Sequence, residues 1–379
     1  MEQPLFVNMP DAHLSWGTWA DYPGLYGDSF FAFSQGVELC LKHHCGLMLP
    51  GDVLDRNTQD DGSVIAFLAR QLGRLQAAGL PVWYITGQHE RTRRMAWLSS
   101  LMLPNVRHVN EVSFRPKNGP LFYGLDFQPA GKLQPALERI PEGTEVLVCH
   151  QVWKELMGIE GRPEGEIAKV PHVRVVITGD FHGHKTKEVT TEDGRRVLVI
   201  SSGSTHMRSL NEDPHKYLHL VGQDLSVESV PLRTRPYLHS RVLTDSQFAA
   251  FLEAMARLSP EPTLPDELAR PIVHLEYPAT MAGVRQKALA AIGTRGFLFD
   301  RVLTSHNQTE EEEDTSDLLA TIDGGLEGCL DQETAPGMPI HDTCLRLLKV
   351  QPSTLRYEIA AIAEERLAGE LPVEDWTTS

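Results

Sequence analysis

The sequence contains no apolar run long enough to cross a membrane, since a transmembrane helix needs about 20 consecutive apolar residues. Its first residues, MEQPLFVNMP, also lack the basic and then apolar order of a secretory signal. With 41% hydrophobic and 7% aromatic residues over 379 positions, the chain can still form a sizeable core. We therefore expect a soluble cytoplasmic protein with no membrane partner.

Cysteine is scarce and has no structural spacing. The five cysteines are odd in number, scattered and without a C-x-x-C pair. This pattern argues against a disulfide framework and against a zinc site made of thiolates. We expect reduced thiols.

An excess of basic residues is also missing, because the formal net charge is −16. A nucleic-acid backbone attracts Lys and Arg, so this value alone discourages DNA as a partner. However, residues 310–379 contain 17 acidic and 4 basic side chains, which leaves a net charge of only −3 on residues 1–309. Charge therefore does not exclude DNA for most of the chain.

Short apolar runs alternate with helical stretches over roughly the first 200 residues. The runs are PLFV, GLMLP, PVWYIT, EVLVC and VRVVIT, and VIAFLARQLGRLQAAG has the apolar spacing of one helix face. Gly79 ends that stretch and is predicted as its C-cap. This order is typical of βαβ units around a largely parallel sheet, whereas the closely spaced runs after residue 195 predict antiparallel pairing.

A second pattern, of three strands and two helices, predicts a small α+β unit between Tyr237 and about residue 305. The like-charged run at 310–314 should stay solvated and serve as a linker. We predict four parts, which are a first domain at 1–232, a small domain at 233–306, an acidic linker at 307–316 and a helical C-terminal region at 317–379.

The residues that follow the five apolar runs share one property, because each can ligate a metal or move a proton. They are Asp11, His13, Asp52, Gln88, His89, His150, Asp180 and His182. Ligands of open α/β sheets gather beyond the carboxyl ends of the strands, so these side chains should converge. Carboxylates and imidazoles without thiolates suit manganese, iron or zinc better than calcium. The number of ligands implies two metal ions, a centre suited to phosphoester hydrolysis.

These motifs resemble the calcineurin-like metallophosphoesterases, whose pattern is D-x-H, G-D-x-x-D, G-N-H-D/E, a single His, and G-H-x-H. The sequence has DAH at 11–13, GDVLD at 51–55, GQHE at 87–90, VCHQ at 148–151 and GDFH at 179–182, in the same order. The resemblance implies a four-layer α/β/β/α sandwich with a small α+β capping domain and a helical C-terminal tail.

The resemblance also assigns roles. It implies that Asp11, His13 and His182 hold one metal, that Gln88, His150 and Asp180 hold the other, and that Asp52 bridges them. His89 becomes the catalytic histidine, as a general acid at the leaving oxygen, and Asp55 orients it.

Two positions depart from the family pattern. Gln88 replaces Asn, and Asp180 replaces the first His of G-H-x-H, so both keep an oxygen donor. An alternative register pairs His182 with His184, from FHGHK. We prefer Asp180 because it directly follows the strand and Gly179.

A narrower resemblance is to SbcD-type nucleases, which process DNA ends beside an SMC-like ATPase. SSGSTHMRSLNE at 201–212, VPLRTRPY at 230–237 and PIVHLEYP at 271–278 carry it, over roughly residues 4–305. It implies manganese-dependent exonuclease and endonuclease cleavage in DNA repair and recombination, with magnesium, iron and zinc as alternative metals. It also implies a homodimer and an SbcC-like ATPase bound by the C-terminal helix. The source organism stays open, although a bacterial or phage origin would suit the divergence of the motifs.

Five arginines near the motifs are candidates for phosphate contacts. They are Arg56, Arg91, Arg93, Arg94 and Arg208. Such contacts would be independent of DNA sequence and sensitive to salt. An exposed, solvated helix face is an equally good interpretation of the three arginines at 91–94.

Two alternative functions stay open at this point. The same chemistry could act on a small nucleotide or a phosphoprotein, although the capping domain argues against small substrates. Alternatively, Gln88 and Asp180 could mark a degraded second site in a non-catalytic scaffold.

Overall fold

A computed structural model describes residues 4–17, 19, 24–56, 58, 61–90, 101–117, 119–129, 131–157, 163–191 and 193–303, all within one compact unit that ends at Leu303. Arg91, Arg93, Arg94, the linker at 307–316 and the C-terminal region at 317–379 lie outside the described residues. Among the described residues, no helix combines the length and apolar character that a membrane span requires.

The described chain contains fifteen strands and six α-helices. The strands are β1 (Phe6–Asn8), β2 (Gly46–Pro50), β3 (Val82–Ile85), β4 (Val106–His108), β5 (Ser113–Phe114), β6 (Phe122–Leu125), β7 (Val146–His150), β8 (Val175–Gly179), β9 (Lys185–Thr190), β10 (Arg196–Ser201), β11 (Tyr217–Val221), β12 (Val227–Pro231), β13 (Tyr237–Arg241), β14 (Ile272–Pro278) and β15 (Phe297–Leu303). The helices are α1 (Asp28–His43), α2 (Gly62–Ala77), α3 (Leu133–Leu137), α4 (Asp245–Ala256), α5 (Asp266–Ala269) and α6 (Val284–Ile292), with a 3₁₀ turn at Ile167–Lys169.

Two six-stranded sheets form the main body. Their strand orders are β12-β11-β1-β2-β3-β4 and β5-β6-β7-β8-β10-β9. The strands β1 to β4 are mutually parallel, as are β6, β7, β8 and β10. The predicted antiparallel pairing after residue 195 holds for the β11–β12 hairpin, whereas β10 lies parallel to β8 and antiparallel to β9.

Three apolar clusters divide the main body into layers. Phe6 and Met48 of the first sheet face Phe122 and Ile177 of the second. On the outer faces, α1 and α2 cover the first sheet, while α3 and the buried Trp153 cover the second. The predicted four-layer α/β/β/α arrangement is therefore confirmed.

Helix α2 shows how local sequence sets an element. Its N-cap, Asp61, accepts hydrogen bonds from the backbone N–H groups of Ser63 and Val64. At the other end the C-cap is Ala78, and Gly79 follows it with φ +69°. Leu80 N–H then bonds the Leu75 carbonyl, which completes a Schellman motif. The C-cap is therefore Ala78, and Gly79, which the sequence predicts as the C-cap, is the residue after it.

A third sheet, β13-β14-β15, is entirely parallel and stands apart from the other two. Helices α4 and α6 cover one face through a cluster that includes Val273 and Leu275. The other face packs on the main body, where Ile272 contacts Trp19 and Met207. The main body and this small sheet are the parts that the sequence predicts as the first and capping domains, and the boundary after residue 232 stays a prediction.

Candidate metal centre

The loops after β1, β2, β3, β7 and β8 meet at one edge of the two sheets. Backbone hydrogen bonds join the first two of them, from Asp11 N–H to the Gly51 carbonyl at 3.2 Å and from His13 N–H to the Asp52 carbonyl at 2.8 Å. Asp180 N–H in turn donates to Asp11 Oδ1 at 3.0 Å, which connects the two sheets. The convergence expected of strand ends is therefore present.

The backbone in these loops is strained at the predicted ligands. Asp11, His13, Asp52 and Asp180 have φ values of 50°, 39°, 50° and 70°. A left-handed conformation costs a residue with a side chain about 1–3 kcal/mol, and such residues concentrate at functional sites. The fold thus expends stability to direct these four side chains inward.

Two glycines allow the close approach of the loops. A Cβ atom at Gly87 would lie 2.0 Å from Asp52 Oδ1, and one at Gly51 would lie 2.3 Å from His150 Nδ1. Gly51 also has φ +84°, a conformation that glycine adopts at little cost. The glycines of the G-D and G-Q-H motifs therefore have a steric reason that spacing alone did not reveal.

We use site A for the group Asp11, His13 and His182. His13 Nε2 lies 3.3 Å from His182 Nε2 and 3.9 Å from Asp11 Oδ1, and His182 Nε2 lies 4.0 Å from the same oxygen. Ligands at about 2.1 Å from a tetrahedral ion are about 3.4 Å apart, so small shifts would close this group around a cation.

We use site B for the group Gln88, His150 and Asp180. His150 Nε2 lies 4.0 Å from Asp180 Oδ1. The Gln88 amide donates from Nε2 to that same oxygen at 2.5 Å. Two predicted ligands of site B are therefore bonded to each other.

Asp52 lies between the two sites. Its Oδ2 atom is 3.7 Å from His13 Nε2, 3.5 Å from His150 Nε2 and 3.8 Å from His89 Nε2. Asp11 Oδ1 also reaches both sites, since it lies 3.8 Å from His150 Nε2. Two carboxylates can therefore serve both sites, where the sequence predicts one.

Unsatisfied atoms provide the test of whether the centre fits metal ions. Asp52 Oδ2, His150 Nε2 and Gln88 Oε1 are buried and have no hydrogen-bond partner among the described residues. Buried polar atoms without partners are costly, and all three are atoms through which these residues ligate metals. The donor set therefore fits divalent cations.

The pKa values of the buried carboxylates and imidazoles also bear on whether the centre can hold a metal. Burial raises the pKa of Asp11 to about 6, although the nearby imidazoles of His150 and His182 oppose the shift. Burial also acts to lower the pKa of His150, but Asp52 and the other carboxylates outweigh it and raise that pKa well above its usual range. Metal binding at this centre therefore competes with protons.

His150 is fixed by a backbone carbonyl. Its Nδ1 atom lies 2.6 Å from the Pro50 carbonyl oxygen, to which it donates, so that Nε2 is the nitrogen directed at Asp52 and would ligate a metal after losing its proton. His182 has an equivalent partner in Glu212, because its Nδ1 lies 3.2 Å from Glu212 Oε1. Both imidazoles thus present Nε2 to the centre.

His89 and Asp55 form a pair at the rim. His89 Nδ1 lies 3.1 Å from Asp55 Oδ1, and Arg208 Nη2 donates to Asp55 Oδ2 at 2.8 Å. Burial would raise the pKa of Asp55, but the His89 hydrogen bond and the Arg208 charge outweigh it and lower the pKa to about 2. Asp55 is thus an anion that fixes the orientation of the His89 ring.

Two glutamates beside the centre were not assigned roles from the sequence. Glu90 accepts four backbone N–H bonds, from Asp52, Val53, Leu54 and Gly87, at 2.7 to 3.2 Å. It therefore joins the loop after β2 to the loop after β3. The last position of the G-N-H-D/E pattern was the available signal for it.

Glu212 holds one end of a second buried network. Its Oε2 accepts from Lys216 Nζ at 2.8 Å and from Ser204 Oγ at 3.0 Å, while Oε1 faces His182. Lys216 is itself buried, with 4% of its surface exposed. Glu212 ends the segment SSGSTHMRSLNE that carries the narrower resemblance, but no role was predicted for it, so its part in this network became visible only through these contacts.

The other predicted residues that the structure describes are Arg56, His184 and Arg208, and only Arg208 reaches into the centre. The side chain of Arg208 enters the centre, where Nη1 lies 3.2 Å from His13 Nε2, while Arg56 is exposed beside Asp55. His184, the alternative ligand, stacks on Tyr217 at 4.3 Å and lies 3.3 Å from Ser229 Oγ. It is not brought together with sites A and B.

Several known proteins resemble the chain, although no family model matches it. Relatives called DNA double-strand break repair protein Mre11 come from Sulfurisphaera tokodaii, at 26% identity over 193 residues (48% of this chain and 49% of the relative), and from Haloferax volcanii, at 29% over 175 residues (44% and 38%). A third, from Methanosarcina acetivorans, is 24% identical over 190 residues (46% and 30%). The chain is thus similar, at low identity, to Mre11 repair proteins. It spans about half the length, or less, of these curated relatives.

A solved structure of a dimetal phosphatase from Danio rerio is also similar, with a TM-score of 0.37 and 12% identity over 58% of this chain and 93% of that one. The two positions that depart from the motif pattern the sequence resembles, Gln88 and Asp180, bond each other in site B. The substitutions thus fall on one of the two sites and leave the motif residues of site A unchanged.

Proposed function

We propose that this chain is a metal-dependent phosphodiesterase that cleaves DNA, with exonuclease and endonuclease activity in DNA repair. The main support for this proposal is the position of Asp52. Its Oδ2 atom faces three imidazoles and has no hydrogen-bond partner among the described residues. That arrangement suits a ligand shared by two cations. The Mre11 relatives support DNA as the substrate.

We propose the ligand set as follows. Site A would hold one ion and site B the other, and Asp52 would serve both. The ligands after β8 would be Asp180 and His182 rather than His182 and His184. The chemistry that two divalent ions supply in such a centre is activation of water and neutralisation of charge on the phosphate. Manganese is our proposal for the ion, since carboxylate and imidazole ligands without thiolate suit it.

His89 is proposed as the general acid. Its ring is oriented through Nδ1 by Asp55, and Nε2 lies 3.8 Å from Asp52 Oδ2, at the rim where a phosphodiester would enter. During hydrolysis the attacking water would lose one proton to solvent as its oxygen bonds to phosphorus, and the phosphorus–oxygen bond to the sugar would break. His89 Nε2 then gives its proton to the departing oxygen, which is work suited to an imidazole near neutral pH.

Positive charge near the centre is proposed to hold the DNA backbone. Arg208 and Arg56 flank Asp55 at the rim, and the sequence adds Arg91, Arg93 and Arg94 just after His89. Contacts of this kind bind phosphates without reading bases and weaken as salt rises.

Assembly is proposed from the resemblance and from the Mre11 relatives. We propose a homodimer in which an SbcC-like, SMC-type ATPase binds the C-terminal helical region at 317–379, with residues 233–306 capping the nuclease domain at 1–232. The test is co-purification of the full chain, and of a chain ending at residue 306, with such an ATPase. Only the full chain should retain the ATPase.

One observation favours a second candidate, a chain with a single working metal site. The Gln88–Asp180 hydrogen bond at 2.5 Å engages two ligands of site B, which would weaken a second ion. A phosphoesterase that acts on small phosphodiesters, or a scaffold without cleavage, would fit that arrangement.

Substrate and metal assays separate these candidates. The full chain with Mn²⁺ should degrade linear duplex DNA far faster than bis(p-nitrophenyl) phosphate, and Asp52→Asn should abolish both reactions. Asp245→Asn, an exposed change at the start of α4, is the matched control. If the small phosphodiester is the better substrate, DNA is not the physiological target. If Asp52→Asn leaves cleavage unchanged, the proposal fails.

A further inference from the structure

A second group of metal-binding side chains lies on the small sheet, apart from the centre described above. His239 on β13 pairs in register with His274 on β14, and Glu276 is two residues further along β14. Alternate residues of a strand share a face, so all three side chains project from the same side of the sheet. That side faces away from α4 and α6, which cover Val273 and Leu275.

The three side chains are close enough to share one ion. One ligand atom from each of His239, His274 and Glu276 lies within 4.8 Å of the others. His239 Nε2 is 3.5 Å from Glu276 Oε2, and the two imidazoles stack with centroids 4.7 Å apart. The side chain of His239 is 48% exposed, so it can adjust its position, while His274 and Glu276 are buried at 6% and 9% exposure.

Neighbouring groups orient two of the three residues. The Tyr237 hydroxyl lies 2.8 Å from His274 Nδ1, which fixes the plane of the ring. An imidazole has two nitrogens, so this contact leaves one for a metal, as is common for ligating histidines. On the other side Arg301 lies 3.5 Å from Glu276 Oε1, which leaves Oε2 directed at His239.

The chemistry of the group selects the kind of ion. Two imidazole nitrogens and one carboxylate oxygen form a set that binds zinc and related transition metals, and hard ions such as magnesium prefer oxygen ligands. We propose that His239, His274 and Glu276 form a further site for a divalent transition metal of the zinc class, which clamps β13 to β14. This site shares no residue with sites A and B, so it does not depend on the proposed nuclease activity.

Zinc content of the full chain tests the proposal. The protein is stripped with a chelator, dialysed against Zn²⁺, and its zinc per chain is measured by mass spectrometry. Removal of one ligand by His239→Ala should lower the content by one equivalent, and Glu276→Gln should do the same. His43→Ala, on α1 far along the chain from the small sheet, should leave the content unchanged.

Two controls locate the zinc and guard against misfolding. Asp52→Asn should remove zinc from sites A and B and leave the one equivalent that His239→Ala removes. The variant that carries Asp52→Asn and His239→Ala together should lose the zinc of sites A and B and also that equivalent. Circular dichroism confirms folding, and the exposed position of His239 makes that variant well tolerated. Equal zinc content in the wild type, His239→Ala and Glu276→Gln would overturn the proposal, as would loss of the extra equivalent on Asp52→Asn alone.

Discussion

Sites A and B are built from the same kinds of side chain but differ in what competes with a metal. In site A the competitor is Arg208, which does not belong to the proposed ligand set and whose Nη1 lies 3.2 Å from His13 Nε2. In site B the competitor is a ligand, because Gln88 Nε2 bonds Asp180 Oδ1 at 2.5 Å. A cation at site A has to displace the Arg208 side chain, which is not a proposed ligand. A cation at site B has to turn the amide of its own ligand Gln88 away from Asp180.

This difference predicts which of the two sites binds a metal ion more tightly. The side chain of Arg208 is 22% exposed and keeps its partner Asp55 when it leaves His13, so its displacement costs little. A hydrogen bond to a carboxylate contributes about 1.5–3 kcal/mol, and site B loses it when an ion binds. We therefore expect site A to fill first as metal is added.

The largest effect should come from Asp52→Asn, because Asp52 serves both sites. Loss of metal charge at the phosphate removes several kcal/mol of transition-state stabilisation, and about 4 kcal/mol corresponds to a roughly thousandfold slower reaction. DNA cleavage should fall by that factor, and metal analysis should show both ions weakened. Retention of two tightly bound ions per chain would contradict a shared role for this carboxylate.

His89→Ala should separate chemistry from metal binding. General acid catalysis contributes about 10²–10⁴-fold, so kcat on duplex DNA should drop by that amount. Both ions should remain, since His89 contacts Asp55 through Nδ1 and is not a proposed ligand. His43→Ala is the matched control. A loss of metal with the activity would show instead that His89 belongs to the ligand set.

Glu212→Gln should weaken site A alone. The carboxylate faces Nδ1 of His182, and partners of this kind typically change metal affinity by about 10–100-fold. Titration with Mn²⁺ should show the first binding step weakened and the second unchanged, with Glu253→Gln on the exposed side of α4 as the control. If the second step weakens instead, Glu212 does not act through His182.

The smallest effect should come from Gln88→Asn, and it should be a gain. The shorter amide cannot keep the bond to Asp180, so the competition within site B disappears. Loss of a hydrogen bond of about 1.5 kcal/mol, the lower end of the range given above, strengthens binding of the second ion about tenfold. The measurement is the same Mn²⁺ titration, with the first step unchanged. A second ion that binds more weakly than in the wild type would show that Gln88 is already a good ligand.

Much of this arrangement could be predicted from the sequence. The five apolar runs before the motifs became β1, β2, β3, β7 and β8, because buried parallel strands are nearly continuous in apolar residues. Their ends then had to share one edge of the sheets. By contrast β9, with the sequence KTKEVT, was missed since its side chains are mostly exposed and carry no apolar run.

The contacts between loops could not be predicted, for physical reasons. The Gln88–Asp180 hydrogen bond and the Glu212–His182 contact join residues 92 and 30 positions apart, in segments without periodicity. The left-handed conformations at Asp11 and Asp52 are held by packing against the local backbone preference, so the propensities of these residues could not predict them. The sequence could predict which residues serve as ligands, but it could not predict the contacts of Gln88 and Arg208 that compete with a metal.

The proposed activity requires two cations at the edge where the sheets meet, and anomalous diffraction from crystals soaked in Mn²⁺ measures their presence directly. We predict two anomalous peaks on either side of Asp52, the stronger among Asp11, His13 and His182 and the weaker beside His150 and Asp180. At limiting Mn²⁺ the peak at site A should appear alone. A map without a peak at Asp52, or with manganese bound only at site B, would contradict the account.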